Sequence, residues 1–307
     1  MRTLDPPAFQ RARSFIAAAR PLDRALFAHV FEGAPTWPVL DALATYRNPD
    51  GGFGHGLEPD FLSGSSSALA TSVALRRLVA VDAPLEHVLV RDAIAWCHAA
   101  LVPHERVWPI VPDETDGAHH APWWDADGLS ERFNGFALNP KADLLAQLYA
   151  LGAGDDGGLD RLADDVVREA DHRTSAGLGI DMHELIGCVA LVDAPHVPVP
   201  VRHRLFELLT PHIEATIGRD ADAWRTYGLR PLAIAPRPGS AYAGTVGHLV
   251  EAELDSLIEA QHDDGAWRPT WSWGRSDDVW ARQREVWAGV LTLDALVQLR
   301  AYGRLES

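Results

Sequence analysis

Apolar positions recur at helical spacing along nearly the whole chain. "PPAFQRARSFIAAAR" opens on prolines suited to a first helical turn, and its apolar residues fall three and four apart. "PLDRALFAHVFEG" follows with a glycine stop at Gly33, and "PTWPVLDALATYR" comes next. The pattern continues in "SSSALATSVALRRLVAV", whose serines stand where N-caps belong, and in "LEHVLVRDAIAWCHAALV". The later segments are "NPKADLLAQLYALG", "GLDRLADDVVREADHR", "DMHELIGCVALV", "VPVRHRLFELLTPHIEATI", "VGHLVEAELDSLIEAQ" and "DDVWARQREVWAGVLTLDALVQLRAYG". Asn139 with Pro140, and Ser276 before two aspartates, read as helix starts. Strand patterns are sparse; only "ERVWPIVPDE" suggests a short ribbon or extended stretch. The spacing predicts about eleven helices at ordinary helix and loop lengths. No flexible linker divides them, so the expectation is one all-α domain over residues 1–307, with a long irregular loop from about 103 to 136.

Composition narrows the function classes. The 307 residues carry a net charge of −16, which repels phosphate backbones and anionic lipid, so no nucleic-acid partner is expected. No window approaches eighteen consecutive apolar residues, so no membrane span is expected. The N-terminal stretch is interrupted by Arg and Pro and does not read as a signal peptide. Two cysteines make no disulfide framework, and the expected location is cytoplasmic. Tryptophan is abundant, with eleven copies, five of them between Trp267 and Trp287. They serve either as core or as an aromatic-lined cavity that stacks sugars or stabilises a cation.

Two segments repeat one another. "LDALATYRNPDGGF" (Leu40–Phe53) aligns with "LDSLIEAQHDDGAW" (Leu254–Trp267), so that Arg47 matches Gln261, Asp50-Gly51 matches Asp264-Gly265, and Phe53 matches Trp267. Further on, "TSVALRRL" from Thr71 resembles "TLDALVQL" from Thr292. The unit is helix, Asp-Gly turn, aromatic, irregular stretch, helix. A weaker echo follows at Asp156–Leu159 and a fourth at "SAGLG" from Ser175. In such a turn Asp bonds its own backbone and Gly supplies the left-handed conformation. The aromatic then folds back and fixes the departure of the next helix.

"QHDDGAW" resembles the Gln-x3-Gly-x-Trp repeat of squalene–hopene cyclases and other class II terpene cyclases. "NPDGGF" is similar to the DGGF turns of protein prenyltransferase β-subunits. The resemblance implies an (α/α)6 barrel, a toroid of helices around an apolar cavity. It also implies an enzyme that handles an apolar, isoprenoid small molecule by acid-initiated cyclisation or isomerisation. The acidic DxDD motif of the cyclases is absent, as is the DxC zinc motif of the prenyltransferases. Neither active site transfers by motif, and fold is not function.

The candidate chemistry therefore comes from the residues themselves. His55, Glu58 and Asp60 follow the first turn, and a carboxylic acid kept protonated there would act as catalytic acid. The plainer reading is that they cap a helix or pair with an arginine. In "GAHHAPWWDADG", His120, Trp123, Trp124 and Asp125 would form a substrate-binding rim, or simply pack the loop. His183 lies in "DMHELIGC", where HExxH would need histidine at the position that Gly187 holds. Trp271 and Trp273 sit in an irregular stretch and would line a cavity mouth. Trp280 and Trp287 are seven apart and share a helix face. No cofactor and no metal are expected. Two other readings stay open: a carbohydrate-active (α/α)6 enzyme (glycosidase, lyase or epimerase) and a non-catalytic binding module. The sequence leaves the oligomeric state open.

Overall fold

The computed structural model describes residues 1–113, 117–154 and 157–306. Among them every regular element is helical, and the only β pairings are isolated bridges. The chain divides into two compact units, Met1–Ala42 with Thr216–Ser307, and Leu43–Ala215.

In the first unit, α1 (Pro6–Ala17) and α2 (Pro21–Glu32) begin at prolines whose missing N–H costs nothing in a first turn. Asp5 caps α1 by accepting from the Ala8 N–H at 2.7 Å. Gly33 ends α2 in the left-handed conformation, at φ 70. The chain leaves this unit within α3 (Trp37–Ala44).

The second unit holds α4 (Ala68–Ala80), α5 (Val88–Ala100), the four-residue α6 (Leu129–Arg132), α7 (Lys141–Ala150), α8 (Gly158–Ser175), α9 (Met182–Asp193) and α10 (Val199–Thr216), which carries the chain back to the first unit. Eight of the ten residues of α7 are buried, because α4, α8 and α9 all pack against it. It is the central helix of this unit. A helix apolar on nearly every side has no solvent face to offer.

Back in the first unit come α11 (Ala221–Trp224), α12 (Pro231–Ile234), α13 (Ala243–Glu259) and α14 (Asp277–Ala301). The long α14 packs on α1 and α2, while α13 packs on α11 and α12.

The eleven expected helices are all present, joined by α6, α11 and α12, each four residues long and too short to show a period. Of the expected caps, Ser67 accepts from the Ala70 N–H at 3.0 Å. Ser276 does stand at the start of α14, in a left-handed conformation, φ 52, but its side chain makes no cap bond. Pro140 rather than Asn139 stands next to α7, again without a side-chain cap. Among its described residues the loop from 103 to 136 carries short helical turns. It holds 3-10 turns at Pro122–Trp124 and Asn134–Phe136 on either side of α6.

Candidate functional site

The first repeat turn is a short, closed device. The Asn48 N–H donates to the Gly52 carbonyl at 2.9 Å, and the Gly51 N–H donates to the Asn48 carbonyl at 3.0 Å. Asp50 accepts from the Gly52 N–H at 3.0 Å, the Asx geometry that its position predicts. Phe53 is fully buried, and its N–H donates to the Thr71 hydroxyl on α4 at 3.1 Å. Gly51 stands at φ 93, and a Cβ there would come well inside 3.0 Å of the Asp92 carbonyl on α5.

The second turn repeats each of these bonds. His262 N–H meets the Ala266 carbonyl at 2.9 Å, Gly265 N–H meets the His262 carbonyl at 2.8 Å, and Asp264 accepts from the Ala266 N–H at 3.1 Å. Trp267 N–H donates to the Thr292 hydroxyl on α14 at 3.0 Å. Gly265 stands at φ 90 with the backbone of Arg11 and Ala12 on α1 against it. The weaker echoes differ. That at Asp156 begins outside the described residues. That at Ser175 is a helix end, with Gly177 at φ 67 and the Leu178 N–H reaching back to the Arg173 carbonyl at 2.8 Å.

Between Phe53 and α4 the chain forms a loop unlike the one that follows the second turn. Its two carboxylates lie inside the protein, Glu58 at 7 % exposure and Asp60 at 4 %. Glu58 accepts from the Asp60 N–H at 2.8 Å, so one carboxylate braces the backbone that carries the other. His55 behaves differently: it is exposed, at φ 57, and its Nε2 lies 2.8 Å from the Asn48 Oδ1 of the turn. Its place is the rim of the turn.

The structure brings this loop to the second sequence cluster. The Leu62 N–H donates to the His119 carbonyl at 3.0 Å, and the Ala121 N–H donates to the Asp60 carbonyl at 2.8 Å, a short antiparallel pairing centred on Phe61 and His120. The two rings lie 6.0 Å apart. His120 places Nδ1 2.9 Å from the Ala118 carbonyl and Nε2 3.1 Å from Asp125. One turn later Trp124 stacks on Phe133 at 5.4 Å, and Phe133 on Phe136 at 6.2 Å. Trp124 is 7 % exposed, and its indole N–H has no hydrogen-bond partner among the described residues. Trp123 is half-buried beside it.

The other singled-out residues lie elsewhere. His183 is exposed in the first turn of α9, where its N–H donates to the capping Asp181. The neighbouring Glu184 is 1 % exposed and structural, held by Arg173 at 2.8 Å and by Asn134 at 3.2 Å. Burial pushes the Glu184 carboxyl above the usual carboxylate range against these donors. Trp271 and Trp273 belong to the other unit. Trp273 is 2 % exposed and tilted on Trp280 at 5.8 Å, whereas Trp271 meets Trp287 edge-on at 5.1 Å and Tyr227 at 5.7 Å. The helix stripe of Trp280 and Trp287 therefore holds the two loop tryptophans by packing.

A third cluster has no sequence motif. A cleft of about 380 Å³ in the Leu43–Ala215 unit is lined by Arg106, Lys141, Asp165, Arg168, Glu169 and His172, with Glu105, Val107 and Ala137. Lys141 is 3 % exposed, and its Nζ lies 3.4 Å from Asp165, which also accepts from Arg106 at 2.7 Å and from Arg168. These four residues are up to 62 positions apart in sequence, from Arg106 to Arg168, so no spacing motif announces them. Composition carried a signal all the same: Lys141 is the only lysine in the chain. An adjoining cleft of about 230 Å³ shares Arg106 and is walled mainly by Leu101, Pro103, Trp108, Leu148, Leu159 and Leu162.

Among the described residues no group of three or more His, Cys, Asp or Glu is placed to hold a metal ion. Both cysteines are fully buried, and burial pushes the Cys97 thiol up to about 12 and Cys188 higher, which suppresses the thiolate that a nucleophile or zinc ligand needs. No helix among the described residues is long and apolar enough to cross a membrane. In comparisons with known proteins, no family model matches the chain and no curated protein matches it.

Proposed function

We propose that the chain is an enzyme of the terpene cyclase and prenyltransferase kind, in which a buried carboxylic acid starts cyclisation or isomerisation of an apolar, isoprenoid substrate. The observation that carries this reading is the burial of Glu58 and Asp60 in a loop paired, backbone to backbone, with the segment that leads into the Trp124–Phe133–Phe136 stack. Protonation of an alkene needs an acid shielded from water, and the cation formed is stabilised by aromatic faces. Asp60 is the proposed proton donor. Glu58 positions it through the Asp60 N–H. His120, Trp123, Trp124 and Asp125 are the proposed substrate wall. An (α/α)6 barrel is part of the same proposal, supported by the two helix–turn–helix repeats with identical hydrogen bonding.

The test is incubation of purified protein with squalene and with linear prenyl diphosphates, products being read by gas chromatography and mass spectrometry. The proposal expects a cyclised or isomerised product that disappears in Asp60→Asn. Unchanged substrates with wild-type protein would sink it.

One observation favours a second reading. The 380 Å³ cleft is walled by charge, including the carboxylates of Glu105, Asp165 and Glu169, as a carbohydrate-active enzyme would require. Release of reducing ends from an oligosaccharide panel, lost in Asp165→Asn, would decide for that reading.

A further inference from the structure

We propose that Lys141 is a nucleophile that captures a small uncharged hydroxyaldehyde or hydroxyketone as an imine, in the cleft it shares with Arg106 and Asp165. Of the 27 lysines and arginines in the chain, Lys141 is the only lysine. An arginine would make the stronger pair with a carboxylate. What lysine offers instead is an amine that can lose its proton and attack a carbonyl carbon. That one amine belongs to a side chain 3 % exposed, on the wall of a cleft of about 380 Å³, within the roughly 300–1,000 Å³ of small-molecule sites. The carboxylate beside it is oriented. Asp165 Oδ1 accepts from Arg106 at 2.7 Å and from Arg168, which leaves Oδ2 facing the Lys141 Nζ at 3.4 Å. Burial pushes the Lys141 ammonium below the usual lysine range; Asp165 opposes this, while Arg106 and Arg168 add to it. A desolvated amine next to other cations is a known way to activate a lysine nucleophile.

Charge selects the substrate. The lining sets three cations, Arg106, Lys141 and Arg168, against three carboxylates, Glu105, Asp165 and Glu169, so no net charge draws in an ionised molecule. The same wall offers donors and acceptors to hydroxyl groups beside a carbonyl. In the capture step the Lys141 nitrogen forms a double bond to the carbonyl carbon as both bonds from that carbon to oxygen break. Two of the three ammonium protons pass through Asp165 Oδ2 to the oxygen, which leaves as water. The iminium that remains keeps the one positive charge. The pair with Asp165 therefore survives the reaction, and no buried charge is created or lost.

The experiment incubates the full chain with glyceraldehyde and sodium cyanoborohydride, which reduces an imine to a stable secondary amine. Peptide mass spectrometry then follows the mass added at each amine. With one lysine in the chain, only Lys141 and the α-amino group can form the adduct, and the α-amine of exposed Met1 is the internal reference. A buried lysine with only a structural role reacts more slowly than an α-amine, because α-amines ordinarily titrate at about 8 and lysines at about 10.4. The opposite order is expected: Lys141 modified faster than the α-amine, by about tenfold or more, at a rate that saturates as glyceraldehyde rises. Asp165→Asn should slow the Lys141 adduct by about a hundredfold and leave the α-amine rate unchanged. The wild-type comparison stands without any variant having to fold. Asp60→Asn should be modified at Lys141 as wild type is, so failure of the acid proposal and failure of this one are distinguishable. An unmodified Lys141, a Lys141 rate at or below that of the α-amine, a rate linear in glyceraldehyde, or an undiminished rate in Asp165→Asn would each overturn the proposal.

Discussion

The two repeat turns, Asn48–Phe53 and His262–Trp267, share their hydrogen bonds but lead into unlike loops. Each closes on an Asx bond, puts glycine against the backbone of a neighbouring helix, and ties its aromatic N–H to a threonine hydroxyl. After the first turn the chain makes a loop that buries two carboxylates. After the second it makes a loop whose tryptophans are gripped by α14. The turn is scaffold, repeated because it solves a geometric problem. The loop after it is where the two repeats differ, one burying carboxylates and the other tryptophans.

The comparison can be broken most severely at the aromatic. Phe53→Ala and Trp267→Ala should each cost about 3–5 kcal/mol in denaturant unfolding, as buried aromatics do. Trp267 should lie at the upper end, since its indole also donates to the Leu257 carbonyl at 2.7 Å. Equal, small losses would mean that the turns are not the anchors described. Next comes the glycine. Gly51→Ala and Gly265→Ala should each destabilise by about 2–3 kcal/mol, from the left-handed backbone together with the contact against α5 or α1.

The neighbouring position sharpens the contrast, because the turns differ there. A Cβ on Gly52 would run into Trp96 and Ser66, whereas the second turn already carries Ala266. Gly52→Ala should therefore cost about 1–3 kcal/mol by overpacking, and Ala266→Gly well under that. The smallest effect is electrostatic. At Asp264 burial works to raise the carboxyl, but the Ala266 N–H and Arg268 outweigh it and hold it below the usual range. That contribution is fully present above the ordinary aspartate pKa of about 3.9 and is lost as the pH falls through the depressed folded value. Asp264→Asn should flatten this acid limb of the stability profile. In the first turn, Asp50 is instead bonded by the Ser66 hydroxyl at 2.8 Å.

Much of this was legible in the chain. Helical periodicity located the eleven longer helices, and the turn alignment paired Thr71 with Thr292, the two hydroxyls that receive equivalent N–H bonds. Three things were not legible. Four-residue helices have no period to read. Burial of the Glu58–Asp60 loop depends on pairing with residues 119–121, a non-local contact that a single sequence does not encode by spacing. The Arg106–Lys141–Asp165–Arg168 cluster is assembled from separate segments. At Trp271 and Trp273 an aromatic excess suggested a cavity mouth; the two rings lie against Trp287 and Trp280.

The proposed function assigns the chemistry to the carboxylates after the first turn and leaves the turn itself to hold the fold. It is tested most directly by measuring product formation and thermal unfolding together on Asp60→Asn. The account predicts a midpoint within about 2–4 °C of wild type, the shift of roughly a 1 kcal/mol perturbation in a chain of this size, and loss of product. Product formed at the wild-type rate by Asp60→Asn would contradict it.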